Sequence, residues 1–224
     1  DQRDKVLKKA DEIAGIVAAH LSEADDPAEV DASLVQEAAL QILRSYDHDH
    51  GGFGRAPKFP QPSNLMFVMR AYQNNPNADL WAAISYTLER MARGGMYDQI
   101  GGGFHRYSTD GQWLVPHFEK MLYDYGQLIE TYLYANAIKP DKDDPELYTR
   151  VVREICDYVL REMTDSTGTF WSAQDAEVDA KEGGNYVWLP DQVREAVPDN
   201  ALAELALRLY GLDRGTNFQD PHHP

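Results

Sequence analysis
Apolar residues return at helical spacing along most of the chain. Leu34, Ala38, Ile42 and Tyr46 stand four apart, and Leu80, Ile84, Leu88 and Met91 keep the same rhythm. Met121, Leu122, Tyr125, Leu128, Ile129, Tyr132 and Leu133 make a broad stripe; Leu147, Val151, Ile155, Tyr158 and Val159 make another, and Leu202, Leu205, Ala206 and Leu209 a further one. Each set covers one face of a 3.6-residue helix and predicts an amphipathic helix. Val6, Ile13, Val17 and Leu21 predict an opening helix near 3–21, and Pro62-Ser63 introduces one over 63–74. Only Asn185-Tyr186-Val187-Trp188 argues for a strand.

The segments between helices repeat. Asp47 leads through Gly51-Gly52 to Phe53, Asp98 through Gly101-Gly102-Gly103 to Phe104, Asp165 through Gly168 to Phe170, and Asp213 through Gly215 to Phe218. Glycine lets the chain leave a helix through positive φ, and phenylalanine plugs the loop into the core. The phenylalanines lie 51, 66 and 48 residues apart. A period of that size marks a repeat architecture whose unit is two helices and a Gly-Phe loop. Long loops over 47–62 and 94–116 alternate with a short one near 75–79, so function is expected on the long-loop side.

A formal charge of −16 over 224 residues makes nucleic acid and anionic membranes improbable partners. No apolar run approaches the roughly 18 residues of a membrane helix, and no signal-peptide pattern opens the chain. The single cysteine, Cys156, is expected as an inert thiol near the core, and the composition fits a cytoplasmic location.

The densest chemistry lies in 94–124. Pro116 is expected to start a helix on which His117, Lys120, Asp124 and Gln127 share a polar stripe lining a cavity. His105, in the glycine loop, and His117 suit an acid/base pair, or each holds its loop through a carbonyl. Glu119 faces solvent or the loop. Asp175 and Glu177 form a second acidic cluster, and paired carboxylates are what glycoside hydrolysis requires. His48, His50 and the His222-His223 pair have no recognised ligand spacing, so no metal and no cofactor are expected.

Long stretches then carry a family resemblance: Gly52-Phe53-Gly54, Ala56-Pro57-Lys58-Phe59-Pro60, the run from Gly95 to Tyr107, Trp113, Val115 to Asp124, and Ser172-Ala173-Gln174-Asp175-Ala176. From about residue 28 onward the sequence resembles the thioredoxin-domain-containing family that includes spermatogenesis-associated protein 20. In that family a thioredoxin-like domain precedes a helical toroid similar to six-hairpin glycosidases and N-acylglucosamine 2-epimerase. The resemblance implies an all-α (α/α) toroid of helical hairpins, incomplete in this chain. Residues 1–27 would be a linker helix and 28–224 a partial toroid of about four hairpin units. No thioredoxin-like domain lies within these residues, so no redox role carries over. That domain and the rest of the toroid are the expected native partners. An unclosed ring predicts an exposed apolar edge and self-association.

By similarity to toroid enzymes, Asp98, His105, His117, Glu119, Asp124, Asp175 and Glu177 would form the catalytic pocket. Tyr97, Tyr107 and Trp113 would stack on a sugar ring, with Arg106, Lys120, Phe53 and Lys58 also at the ligand. Two functions stay open: a carbohydrate-active toroid, working as epimerase or hydrolase, and a non-catalytic toroid that binds a protein or metabolite.

Overall fold
The structure, a computed structural model, describes residues 2–22, 31, 33–140 and 145–216. The chain divides into two compact units, Asp1–Gln36 and Glu37–Pro224. In the first, helix α1 (Gln2–Ser22) is the expected opening helix, and it buries none of its residues. The expected boundary at 27/28 lies outside the described residues, as do Asn217, Phe218 and His222-His223.

The second unit holds most of α2 (Ser33–Leu43), then α3 (Pro62–Asn74), α4 (Ala78–Arg93), α5 (Leu122–Ile138), α6 (Pro145–Glu162), α7 (Pro190–Ala196) and α8 (Asn200–Leu209). Pro62 occupies the first turn of α3, where its missing N–H costs nothing. Asn77 caps α4 by accepting from the backbone N–H groups of Asp79 and Leu80. Helix α5 packs most extensively on α6 and α3. Its buried Tyr125, Leu128, Tyr132 and Ala135 meet Leu65 and Met69 of α3, Ile84, Leu88 and Met91 of α4, and Val151 and Ile155 of α6 in one core. Each such large side chain contributes about 1.5–3 kcal/mol of apolar burial. The Tyr132 hydroxyl donates to the Leu88 carbonyl at 2.8 Å, so its polar end is satisfied inside that core.

Four expectations are corrected. Helix α5 begins at Leu122, not Pro116, because 116–121 is extended. Strand β1 (Tyr107–Ser108) pairs antiparallel with β2 (Pro116–His117), and β3 (Lys120–Met121) with β4 (Ala173–Gln174). The long loop satisfies its backbone groups through these short ladders. The supposed strand at 185–188 is a turn, closed by Tyr186 and Val187 N–H groups on the Gly183 carbonyl at 2.8 and 2.9 Å. The hairpin of β5 (Glu177–Val178) and β6 (Lys181–Glu182) lies just before it. Cys156 is exposed on α6. On α8 the buried residues are Ala203 and Leu207, whereas Leu202, Leu205 and Leu209 are exposed, so the helix forms but its expected stripe faces outward.

The recurring loop closes on itself in its first three copies, but only Phe53 and Phe104 enter the core as expected; Phe170 is 51% exposed. Bridges join Tyr46 to Phe53, Tyr97 to Phe104 and Thr164 to Phe170. The residue after each phenylalanine donates to the carbonyl before the bridge: Gly54 to Ser45, His105 to Met96, Trp171 to Met163, at 2.7–2.9 Å. In the second copy this geometry delivers His105 and Arg106 toward the segment 116–121.

Candidate functional site
An extended segment sends alternate side chains to opposite sides. Over 117–120 that alternation separates His117 and Glu119 from Phe118 and Lys120, and two clusters result.

The first cluster is buried. Lys120 is fully excluded from solvent. Its ammonium donates to Asp98 Oδ2 at 2.7 Å and to the Gly102 carbonyl at 3.1 Å, and stands 3.8 Å from the ring centre of Tyr158. Burial pushes the Lys120 ammonium down to about 8, with Asp98 opposing. Burial pushes the Asp98 carboxyl up, but Lys120 and the N–H groups of Gly101 and Ile100 outweigh it and hold the carboxyl below its usual range. His105 lies alongside, 3% exposed, its ring edge-on to Phe118 and Tyr186. Its Nδ1 is 3.1 Å from the Phe118 carbonyl. A carbonyl only accepts, so Nδ1 carries the proton and Nε2 the lone pair. Burial, then the Lys120 charge, pushes His105 down to about 4.

The second cluster opens to solvent. His117 Nδ1 is 2.7 Å from Glu182 Oε1, and its Nε2 is 3.6 Å from Glu119 Oε2. Arg106 Nη1 donates to the same Glu119 oxygen at 2.8 Å. Tyr107 stacks on His117 with ring centres 5.0 Å apart, and Phe59 lies 4.6 Å beyond, making an aromatic ladder that ends at the carboxylates. Asp124, in the first turn of α5, keeps a buried Oδ2 with no hydrogen-bond partner. Burial pushes its carboxyl up to about 6; Arg106 pulls it down and Glu119 raises it further. An imidazole between two carboxylates, with a reluctant acid and a guanidinium beside it, is equipped to accept and return a proton.

The structure thus brings Asp98, His105 and Lys120 into one cluster and Arg106, Tyr107, His117, Glu119 and Asp124 into the other. Asp175 and Glu177 join neither. Both are exposed, and Asp175 Oδ1 accepts from the Glu177 N–H at 3.1 Å. Their segment does lie alongside, since Gln174 pairs with Lys120. The carboxylate that reaches His117 is Glu182, directly across the β5–β6 ladder from Glu177. Sequence reading missed it. The two-residue turn Asp179-Ala180, at φ 52 and 59, folds Glu182 back without the glycine that marks such a turn in a sequence.

The remaining expected ligand contacts are closed off. Tyr97 is buried, with its hydroxyl bonded to Glu154 and its ring against Phe104. Phe53 is buried in the first loop. Lys58 is fully buried and donates to Asp47 Oδ2 at 2.5 Å and to the Gly51 and Gly111 carbonyls. Trp113 is buried beneath Gly52 and donates from Nε1 to the His50 carbonyl at 3.0 Å. An open groove of about 620 Å³ between Tyr46, Asp79, Tyr86 and Glu89 lies elsewhere and contains none of the expected site residues. Glu89 there is paired with Arg93 at 3.0 Å. Among the described residues no helix is long and apolar enough to cross a membrane.

No family model matches the chain. It is 38% identical over 213 residues to spermatogenesis-associated protein 20 of Homo sapiens and 37% identical over 213 residues to the Mus musculus protein, in each case over 86% of this chain. It spans about a quarter of the length of these curated relatives, 26% of each. Among solved structures it is similar to cellobiose 2-epimerase from Spirochaeta thermophila, at TM-score 0.52 and 18% identity over 64% of this chain and 39% of that one. It is also similar to a sugar epimerase from a ruminal bacterium, at TM-score 0.52 and 14% identity over 84% of this chain and 55% of that one. The fold is therefore the all-α (α/α) toroid of helical hairpins that the sequence predicts, and the chain's homologues include the proteins named spermatogenesis-associated protein 20.

Proposed function
We propose that residues 28–224, led into by residues 1–27, form the carbohydrate-facing part of a toroid and move a proton on a reducing sugar. In the longer proteins this part would work beside a thioredoxin-like domain and the remaining hairpins. The observation that carries the reading is His117 held between Glu182 and Glu119 at the end of the Phe59–Tyr107 ladder. Sugar rings offer apolar C–H faces to aromatic side chains and hydroxyls to carboxylates, and this surface presents both. Glu182 accepts the Nδ1 proton, and a neutral His117 would then present Nε2 to take a proton from the carbon beside a carbonyl. Glu119 and Arg106 steady the charge that develops, and Asp124 supplies the acid for the carbonyl oxygen. His105 holds the Phe118 carbonyl and takes no proton near neutrality. The fold of the two epimerases agrees with this reading and does not by itself give it.

The test is solvent-deuterium incorporation into a panel of reducing mono- and disaccharides, followed by NMR. Exchange beside the carbonyl, lost in His117→Ala, supports the proposal. New reducing ends without exchange would make the site a hydrolase. A second reading, a non-catalytic binding toroid, is favoured by one observation: Arg106–Glu119 and His117–Glu182 already satisfy one another. It expects no turnover of any sugar and a loss of stability alone in His117→Ala.

A further inference from the structure
The repeated loop builds the same cation socket twice and leaves it open once. In the first copy Asp47 Oδ1 accepts from the N–H groups of Asp49 and His50, and Oδ2 takes the Lys58 ammonium. In the second, Asp98 Oδ1 accepts from Ile100 and Gly101, and Oδ2 takes Lys120. Each ammonium also binds the carbonyl of the positive-φ glycine four residues past the aspartate: Gly51 at 3.0 Å and Gly102 at 3.1 Å. Each faces aromatic rings, Trp113 at 5.3 Å for Lys58, and Tyr158 at 3.8 Å and Tyr186 at 5.0 Å for Lys120. Both lysines lie on extended segments that pair with a neighbour, Lys58 with Ser108 and Lys120 with Gln174.

The third copy has a similar frame, one residue shorter between aspartate and phenylalanine. Asp165 Oδ1 accepts from the N–H groups of Thr167 and Thr169 at 2.7 and 3.0 Å, and the Asp165 N–H donates to Thr169 as Asp47 and Asp98 donate to Gly52 and Gly103. Gly168, at φ 86, stands two residues before its phenylalanine as Gly51 and Gly102 do, but three rather than four past the aspartate. The Thr167 hydroxyl and these N–H groups hold the Asp165 carboxyl below its usual range, so it stays charged. Among the described residues no cation pairs with it. Lys181 is exposed and lies in β6. The aromatic residues here are uncovered: Phe170 is 51% and Trp171 59% exposed, whereas Phe53 and Phe104 are buried.

We propose that the Asp165–Trp171 loop is an open lysine socket, a docking site for an extended segment of another polypeptide that presents a lysine followed by an apolar residue. The two filled copies define the occupant. Lys58 is followed by Phe59 and Lys120 by Met121, and in each the ammonium is fully buried by aspartate, glycine carbonyl and aromatic face together. An aspartate and a positive-φ glycine recur at the third loop beside exposed aromatic residues, and a charge-assisted bond to a lysine would cover those residues. The inference is independent of the proposed sugar chemistry.

The experiment titrates an acetylated and amidated peptide copying residues 56–61 (Ala-Pro-Lys-Phe-Pro-Gln) into the isotope-labelled chain and follows the amide resonances of 165–171. The expected result is saturable shifts at millimolar peptide, confined to that loop. Acetyl-lysine in the peptide, or Asp165→Asn in the protein, weakens binding at least about tenfold. Asp165 is not part of the core, and the acetyl-lysine peptide tests the same point on the unaltered protein. Equal shifts with acetyl-lysine would reveal an apolar patch only and overturn the proposal. So would the absence of shifts, or shifts that persist in Asp165→Asn.

Discussion

Lys120 Nζ lies 2.7 Å from Asp98 Oδ2 with neither side chain more than 12% exposed, and this pair joins the glycine loop to the strand entering α5. Both charges left water to meet there, so the pair is worth less than the cost of breaking it. Lys120→Met strands a buried carboxylate and is expected to cost about 3–5 kcal/mol. Asp98→Asn strands the ammonium to similar effect. The double variant should recover part of the loss. Urea denaturation of all four proteins measures the coupling, and additive losses would refute it.

His105 gives the chain an acid-sensitive element. Its folded-state proton affinity is depressed, down to about 4, against an ordinary value near 6.5. Between these values the unfolded chain binds the proton and the folded chain does not, so stability falls as pH drops from about 6.5 to 4 and levels off below. The loss approaches ~3 kcal/mol for a group this buried. Comparing the pH dependence of stability with that of His105→Gln isolates it. An imidazole that titrates near 6.5 by NMR would contradict the expectation.

Helices α3 to α6 were legible because each buries one stripe, and Leu65, Ile84, Leu128 and Val151 stand where periodicity put them. The loop repeat was legible because glycine and phenylalanine are needed at fixed places in it. The start of α5 was not. His117, Lys120 and Asp124 fit a helical face, but β1 and β4 claim the backbone of 116–121, and such pairing leaves no local trace. His117 and Lys120 therefore face apart. The clustering of His117, Glu119 and Arg106 was only partly legible, and Glu182 not at all, because it arrives through a hairpin whose turn lacks the usual glycine. Charge type also misled: Lys58 and Lys120 read as ligand-binding cations, and the structure spends both on loop carboxylates.

Asp124 acts in the opposite sense to His105. Its carboxyl is pushed up to about 6 from an ordinary 3.8. The folded chain keeps the proton longer, so this contribution is full below about 3.8 and is lost as pH rises through 6. Partial exposure screens the effect to about 1–2 kcal/mol. Asp124→Asn should remove that slope and leave the His105 slope in place. The side-chain carboxyl resonance of Asp124 reports the proton directly, and a midpoint near 3.8 would count against the burial argument.

Gly103 and Gly54 separate backbone strain from crowding. Both have φ near +80. A Cβ at Gly54 meets nothing within 4 Å, so Gly54→Ala carries only the cost of placing an L-residue in that conformation, about 1–2 kcal/mol. A Cβ at Gly103 would stand 2.6 Å from the Tyr125 hydroxyl and 2.9 Å from the ring carbon that bears it. Tyr125 is fully buried in the core of α5. Overpacking of this kind adds about 1–3 kcal/mol, so Gly103→Ala should lose clearly more stability than Gly54→Ala. It should also displace the neighbouring Gly102 carbonyl that holds Lys120. Thermal or urea unfolding of the two variants ranks them. Equal losses would mean that Tyr125 yields, and that the second loop is seated less tightly on α5 than its hydrogen bonds and burial require.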